Sequence, residues 1–176
     1  SVVSDNPSMT LTGIVVSSSG GNGGNAGVPN RAGGNGGNAG AVDLYSPGGL
    51  LFVSGSVTAT GGNGGNAVVD PLAANGGAAG AAALVELVAA GDLVFNGPMA
   101  ITNAPGSAGL DNTGAGGAGS PLVEIEMQGD TISQSAGASI NAGSSIVKVV
   151  ANSDVFLMET ANSFGEMNGA ANGSID

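Results

Sequence analysis

The sequence predicts an all-β chain, a parallel β-solenoid of about five coils in which residues 1–176 form one domain and three glycine-rich hairpins are let out to one side. Three observations predict it. Short units that alternate apolar and polar residues recur along the chain. Each is followed by a Gly- or Asp-containing corner and a second alternating run. Between the early copies lie tracts that repeat with a period of three.

The first strands are Ala41-Val42-Asp43-Leu44, Leu84-Val85-Glu86-Leu87, Leu122-Val123-Glu124-Ile125 and Ile146-Val147-Lys148-Val149, with a weaker copy at Val2-Val3-Ser4-Asp5. Alternation of this kind marks half-buried strands. The corners are Pro47-Gly48-Gly49, Gly91-Asp92, Gly129-Asp130 and Ser153-Asp154. After them come second strands within Met9–Val16, Leu51–Thr60, Leu93–Thr102, Thr131–Asn141 and Val155–Thr160. Units of constant strand content but variable spacing are expected of a solenoid whose length differences are loops at one corner. Five coils at ~4.8 Å each would stand about 24 Å tall. Val42, Leu44, Val85, Leu87, Val123, Ile125, Val147 and Val149 are the predicted core.

The variable parts have their own order. Gly20–Asn25, Gly33–Asn38 and Gly61–Asn66 each read Gly-Gly-Asn-Gly-Gly-Asn. Three residues per turn is the period of an extended polyproline-II-type helix, at ~3.1 Å per residue. It puts glycine on two faces and asparagine on the third. The tracts pair around short tips, so the insertions 20–40, 61–80 and 105–119 read as polyglycine-II hairpins with tips at 28–32, 67–74 and 110–113. Asn22, Asn25, Asn35, Asn38, Asn63 and Asn66 are the predicted lateral-packing residues.

Composition removes many functions. Of 176 residues, 35 are Gly, and 13 acids face two cations for a net charge of −11. Such a chain cannot neutralise a run of phosphates or dock on an anionic membrane surface, so nucleic acid is not expected as a partner. No stretch reaches the roughly 20 apolar residues that span a bilayer, so membrane insertion is not expected either. With no Cys and no His, thiol nucleophiles, Ser-His-Asp catalysis, disulfides and structural zinc are unavailable. Because the chain begins at Ser1, it is expected to be a processed product or a fragment.

The strand–Gly-Asp–strand units, with Gly91-Asp92-Leu93-Val94-Phe95 and Gly129-Asp130-Thr131-Ile132-Ser133, resemble the repeats of filamentous-haemagglutinin-like β-helices in secreted bacterial surface proteins. The Gly-Gly-Asn tracts resemble polyglycine-II segments of glycine-rich antifreeze proteins and phage tail-tip adhesins. The first resemblance implies a right-handed single-chain β-helix outside the cell. Neither implies a ligand.

Carboxylates are the remaining chemistry. The sequence register stacks Asp43, Glu86 and Glu124 in one outward column with Lys148 beneath, and Asp92, Asp130 and Asp154 in another at the corner. The corner column admits two readings: an oxygen-only calcium site, or carboxylates that accept turn N–H groups. Glu124, Glu126 and Asp130 are the acids that a carbohydrate-cleaving site would use. With five aromatics in the chain to form a sugar platform, no enzyme is expected. Thr58-Ala59-Thr60 and Thr10-Leu11-Thr12 resemble the start of the threonine ladders of ice-binding solenoids, but the matching coils offer Ile101-Thr102-Asn103 and Ile140-Asn141-Ala142, so the ladder is not sustained.

The ends of a solenoid expose unpaired strand edges. Here the final coil is apolar, with Phe156, Met158, Phe164 and Met167, and the N-terminus offers Val2 and Val3 for strand addition. A front-to-back contact through these six residues does not close, and so builds a filament. The expectation is an extracellular structural subunit whose partner is itself. An adhesin fragment that binds a receptor or glycan through the hairpin tips, and an ice-binding protein, are the alternatives. No cofactor beyond calcium is expected.

Overall fold

The computed structural model describes residues 1–3, 6, 8–29, 31–68, 75–97, 99–111, 124–143 and 145–176. Among them there are strands and no helix, and every strand pairing is parallel. The strands are β1 (Val2–Val3), β2 (Ser8–Ser19), β3 (Val42–Ser46), β4 (Leu50–Thr60), β5 (Val85–Ala89), β6 (Leu93–Phe95), β7 (Met99–Ala104), β8 (Ile125–Gly129), β9 (Ile132–Gln134), β10 (Ala138–Asn141), β11 (Ile146–Ala151), β12 (Val155–Phe156) and β13 (Glu166–Ala171).

Two sheets result. The first has six strands in the order β1-β3-β5-β8-β11-β13, so each pass of the chain lays one strand on the previous pass. The second is built on β4, whose first half pairs β6 and whose second half pairs β7. It therefore carries two columns side by side, and β2 runs along β4 over both. Alternating side chains of both sheets turn inward into one apolar cluster that includes Leu44, Leu51, Leu87, Phe95, Ile101, Ile132 and Val149. At about 1.5–3 kcal/mol for each fully buried Leu or Ile, this cluster is the main stabilising term. The corners stack as well: Gly91 N–H donates to Gly49 O, Asp130 N–H to Gly91 O, Ser153 N–H to Asp130 O and Gly173 N–H to Ser153 O.

Three details differ from the sequence expectation. The third long unit is displaced by two residues: Ile125 pairs Val85 and Glu126 pairs Glu86, so Glu126 occupies the column position expected of Glu124. A slip of two keeps the same side chains inward, because strand periodicity is two, which is why the pattern did not betray it. The expected core residue Val123 lies outside the described residues, whereas the other seven are buried. The runs Leu93–Thr102 and Thr131–Asn141 are each broken into two strands, and a sixth strand, β13, is added to the first sheet. Gly97 and Gly137, at φ 72° and 85°, turn the chain at those breaks.

A β-bulge sits in β2 between Thr12 and Val15. It swings Ile14 over β4, where a Cβ on Gly55 would fall on the Ile14 carbonyl. Glycine is required there by that close approach.

Candidate functional site

The glycine tracts are joined by backbone hydrogen bonds that follow their period. Five legs are described: 20–26, 33–39, 61–67, 75–81 and 105–110. In the legs 20–26, 33–39 and 61–67 the first position of each triplet donates to the following pass: Gly20 N–H to Thr60 O, Gly23 to Asn63 O, Gly61 to Ala104 O and Gly64 to Ser107 O. Outside the leg of residues 20–26, the second position donates across to an oppositely running leg: Gly62 N–H to Gly37 O, Gly65 to Gly34 O, Gly77 to Gly65 O and Gly106 to Gly80 O. These approaches leave no room for side chains. A Cβ on Gly23, Gly36, Gly62, Gly65 or Gly77 would fall on a neighbouring carbonyl oxygen.

The third position is served by asparagine. Asn63 N–H donates to Asn22 Oδ1 at 2.9 Å and Asn66 N–H to Asn25 Oδ1 at 2.8 Å. One pass further, Ser107 N–H donates to Asn63 Oδ1 at 2.7 Å and Leu110 N–H to Asn66 Oδ1 at 2.9 Å. On the returning legs, Ala78 N–H donates to Asn35 Oδ1 at 3.0 Å and Ala81 N–H to Asn38 Oδ1 at 2.9 Å. Each of the six asparagines singled out in the sequence thus gives its amide oxygen to the backbone of the next pass. The hairpin tips lie partly outside the described residues.

The two ends of the sheets present open strand edges. Among the described residues, β1 pairs only β3, β2 pairs only β4 and β13 pairs only β11. On the first edges Val2 is 40% exposed, Val3 57%, Ile14 47% and Val15 66%. Met158, one pass inside β13, is 72% exposed. Phe164 and Met167 are partly buried against the core, and Met167 pairs Val147. Phe156 sits on the outer face of β12, beside Ser133 of β9. Four of the six expected interface residues, Val2, Val3, Phe164 and Met167, therefore belong to or flank the terminal layers, while Phe156 and Met158 lie one pass inside β13.

The corner aspartates bond the adjoining pass. Thr131 N–H donates to Asp92 Oδ1 at 3.2 Å, Asn152 Nδ2 to Asp130 Oδ1 at 2.6 Å and Ser174 N–H to Asp154 Oδ1 at 2.7 Å. Among the described residues no group of three His, Cys, Asp or Glu side chains gathers as a metal site. Of the two readings of this column, the turn-capping one has hydrogen bonds behind it.

On the outer face of the first sheet, Asp43, Glu86, Glu126 and Lys148 form the charged column. Lys148 Nζ bridges Glu124 and Glu126. Its hydrogen bond holds the Glu124 carboxyl below its ordinary range, and Glu124 in turn raises the Lys148 ammonium. A carboxyl held ionised is the opposite of a general acid, which needs a raised value. The hollows beside this column, between Glu86, Glu126 and Lys148 and between Asp43, Tyr45 and Glu86, are open to solvent at about 210 and 310 Å³.

The second sheet carries a row of small hydroxyls in which Ser17 and Ser19 join the Thr58 and Thr60 already read from the sequence. Ser17 pairs Thr58, Thr58 pairs Thr102 and Thr102 pairs Asn141 on one outward column, with Ser19 beside Thr60 on the next. The signal was the Ser17-Ser18-Ser19 run, which becomes a partner of Thr58-Ala59-Thr60 only once the bulge in β2 is known.

No family model, no curated protein and no solved structure matches the chain.

Proposed function

We propose that the chain is an extracellular structural subunit that assembles end to end into a filament or matrix fibre. In this reading the parallel sheets close into a right-handed β-solenoid of six layers, and the legs form a polyglycine-II bundle at its side. The observation that carries it is the pair of unfilled edges. Among the described residues, β1 and β2 at one end and β13 at the other are paired on one side only, and the first edge exposes Val2, Val3, Ile14 and Val15. Monomeric proteins blunt such edges with charge, proline or a covering element. A neighbour's β13 laid on β1 would continue the parallel ladder, and a front-to-back contact does not close.

The hydrogen-bonded legs and the scarcity of trypsin-type cleavage points, Arg31 and Lys148, support a durable element outside the cell. The work is mechanical, with no catalytic step. Sedimentation velocity over a concentration series tests it: the chain polymerises, and Val15→Lys, which puts a charge on the open edge, abolishes polymerisation while leaving the fold intact. Unchanged polymerisation by that variant rejects the edge as the contact.

A second reading has its own observation. The Ser17, Thr58, Thr102 column and its Ser19, Thr60 neighbour make an uncharged hydroxyl face, with rows ~4.8 Å apart, suited to ordered water. Thermal hysteresis in solution would favour this ice-binding reading over the structural one.

A further inference from the structure

The leg of residues 61–67 shows what a filled position in the glycine bundle looks like. Every one of its N–H groups is bonded: Gly61 to Ala104 O, Gly62 to Gly37 O, Gly64 to Ser107 O, Gly65 to Gly34 O and Ala67 to Leu110 O, with Asn63 and Asn66 on the asparagines of the first leg. The leg of residues 20–26 is half filled. Gly20, Gly23 and Ala26 donate to the next pass, whereas the N–H groups of Gly21, Asn22, Gly24 and Asn25 meet no partner among the described residues. The carbonyls of Asn22 and Asn25 are equally free, although their counterparts Asn63 and Asn66 accept from Gly23 and Ala26. On the returning leg, the N–H groups of Asn35 and Asn38 meet no partner among the described residues, where those of Ala78 and Ala81 are bonded.

The glycines point the same way. Gly62 and Gly65 must lack side chains because a Cβ would fall on the carbonyls of Gly21 and Gly24. Gly21 and Gly24 themselves have nothing within 4 Å of that position, and neither has a left-handed φ. Nothing among the described residues asks for glycine there. What it does is keep the outer edge flat enough for another backbone to reach the free donors.

We propose that this edge, residues 20–25 with Asn35 and Asn38, docks on the same edge of a second copy about a two-fold axis. It carries donors and acceptors together, so it is self-complementary, as an isologous contact requires. Oppositely running legs already bond each other inside the molecule, as Gly34 to Gly24 O and Gly37 to Gly21 O show. The inference rests on the reading of the chain as a self-assembling subunit and names its lateral contact. An axial neighbour does not fill the edge. The described legs spring from the first three passes, so a copy stacked front to back brings the pass ending in β13, which has no leg, alongside it.

The test is the double variant Gly21→Val, Gly24→Val, with Gly24→Lys as a second probe, since both place side chains in open space. Thermal unfolding first establishes that the fold is unchanged. Sedimentation equilibrium below the polymerising concentration then reads pairing, and electron microscopy reads lateral association of filaments. Wild-type pairing weakened at least tenfold in both variants, with single filaments still forming, is the expected result. Pairing of the variants at wild-type strength, or no pairing by the wild type, overturns the proposal. Pairing lost in the variants while no filament forms in any of them upholds the lateral contact and rejects the axial one.

Discussion

Gly65 and Gly24 face each other in the leg bundle and make opposite demands on their side chains. A Cβ on Gly65 would fall on the Gly24 carbonyl, while a Cβ on Gly24 enters open space. Gly65→Val should cost about 2–3 kcal/mol, the scale of overpacking in a closed site, whereas Gly24→Val should stay within about 0.5 kcal/mol. Urea midpoints at equal m-values measure both. Asn66 acts through one atom, the Oδ1 that accepts Leu110 N–H. Asn66→Ala should destabilise by about 1 kcal/mol, the net worth of one hydrogen bond, and accelerate amide exchange at Leu110. Unchanged exchange there would show that the asparagine column does not hold the legs. The period-three tracts made these asparagines legible in the sequence. Their chemistry was not legible, because which pass receives each amide depends on how far apart the legs stand.

Among elements, β8 shows where reading by pattern stops. Leu122–Ile125 and Ile125–Gly129 alternate equally well, so the strand's true register with β5 had to come from pairing and not from periodicity. The missed β13 has a similar cause: Glu-Met-Asn-Gly-Ala-Ala carries no β-branched residue, and its strand state comes from the β11 edge on which it lies. Leu51, Val53, Val57 and Ala59 of β4 were readable because each alternates with a less buried neighbour. The register of β8 and β11 also sets a pH dependence, since it brings Glu126 beside Lys148 and lets Lys148 bridge Glu124. Glu124 is depressed, so its contribution is present above the ordinary glutamate value and lost as pH falls through the depressed one. Lys148 is raised, so its share is present below the ordinary lysine value and lost as pH rises through the raised one. Lys148→Met should therefore lower Tm slightly across the neutral range, with the difference from wild type shrinking toward both extremes. A difference independent of pH would assign the effect to packing. The effect stays small because the pair is exposed to solvent.

At the scale of the whole molecule, a parallel two-sheet body carries a bundle of glycine legs, and among the described residues both are open at the first pass. The corner aspartates bond the turns of the next pass, so a calcium chelator should leave Tm unchanged, and a drop of several degrees would revive the metal reading. The central claim is that the open ends join. Its most direct test is negative-stain electron microscopy of the purified chain over a concentration series. Six strands in the first sheet at ~4.8 Å each predict filaments with an axial repeat near 29 Å, whose length grows with concentration. Dispersed particles of one size at every concentration would contradict the account.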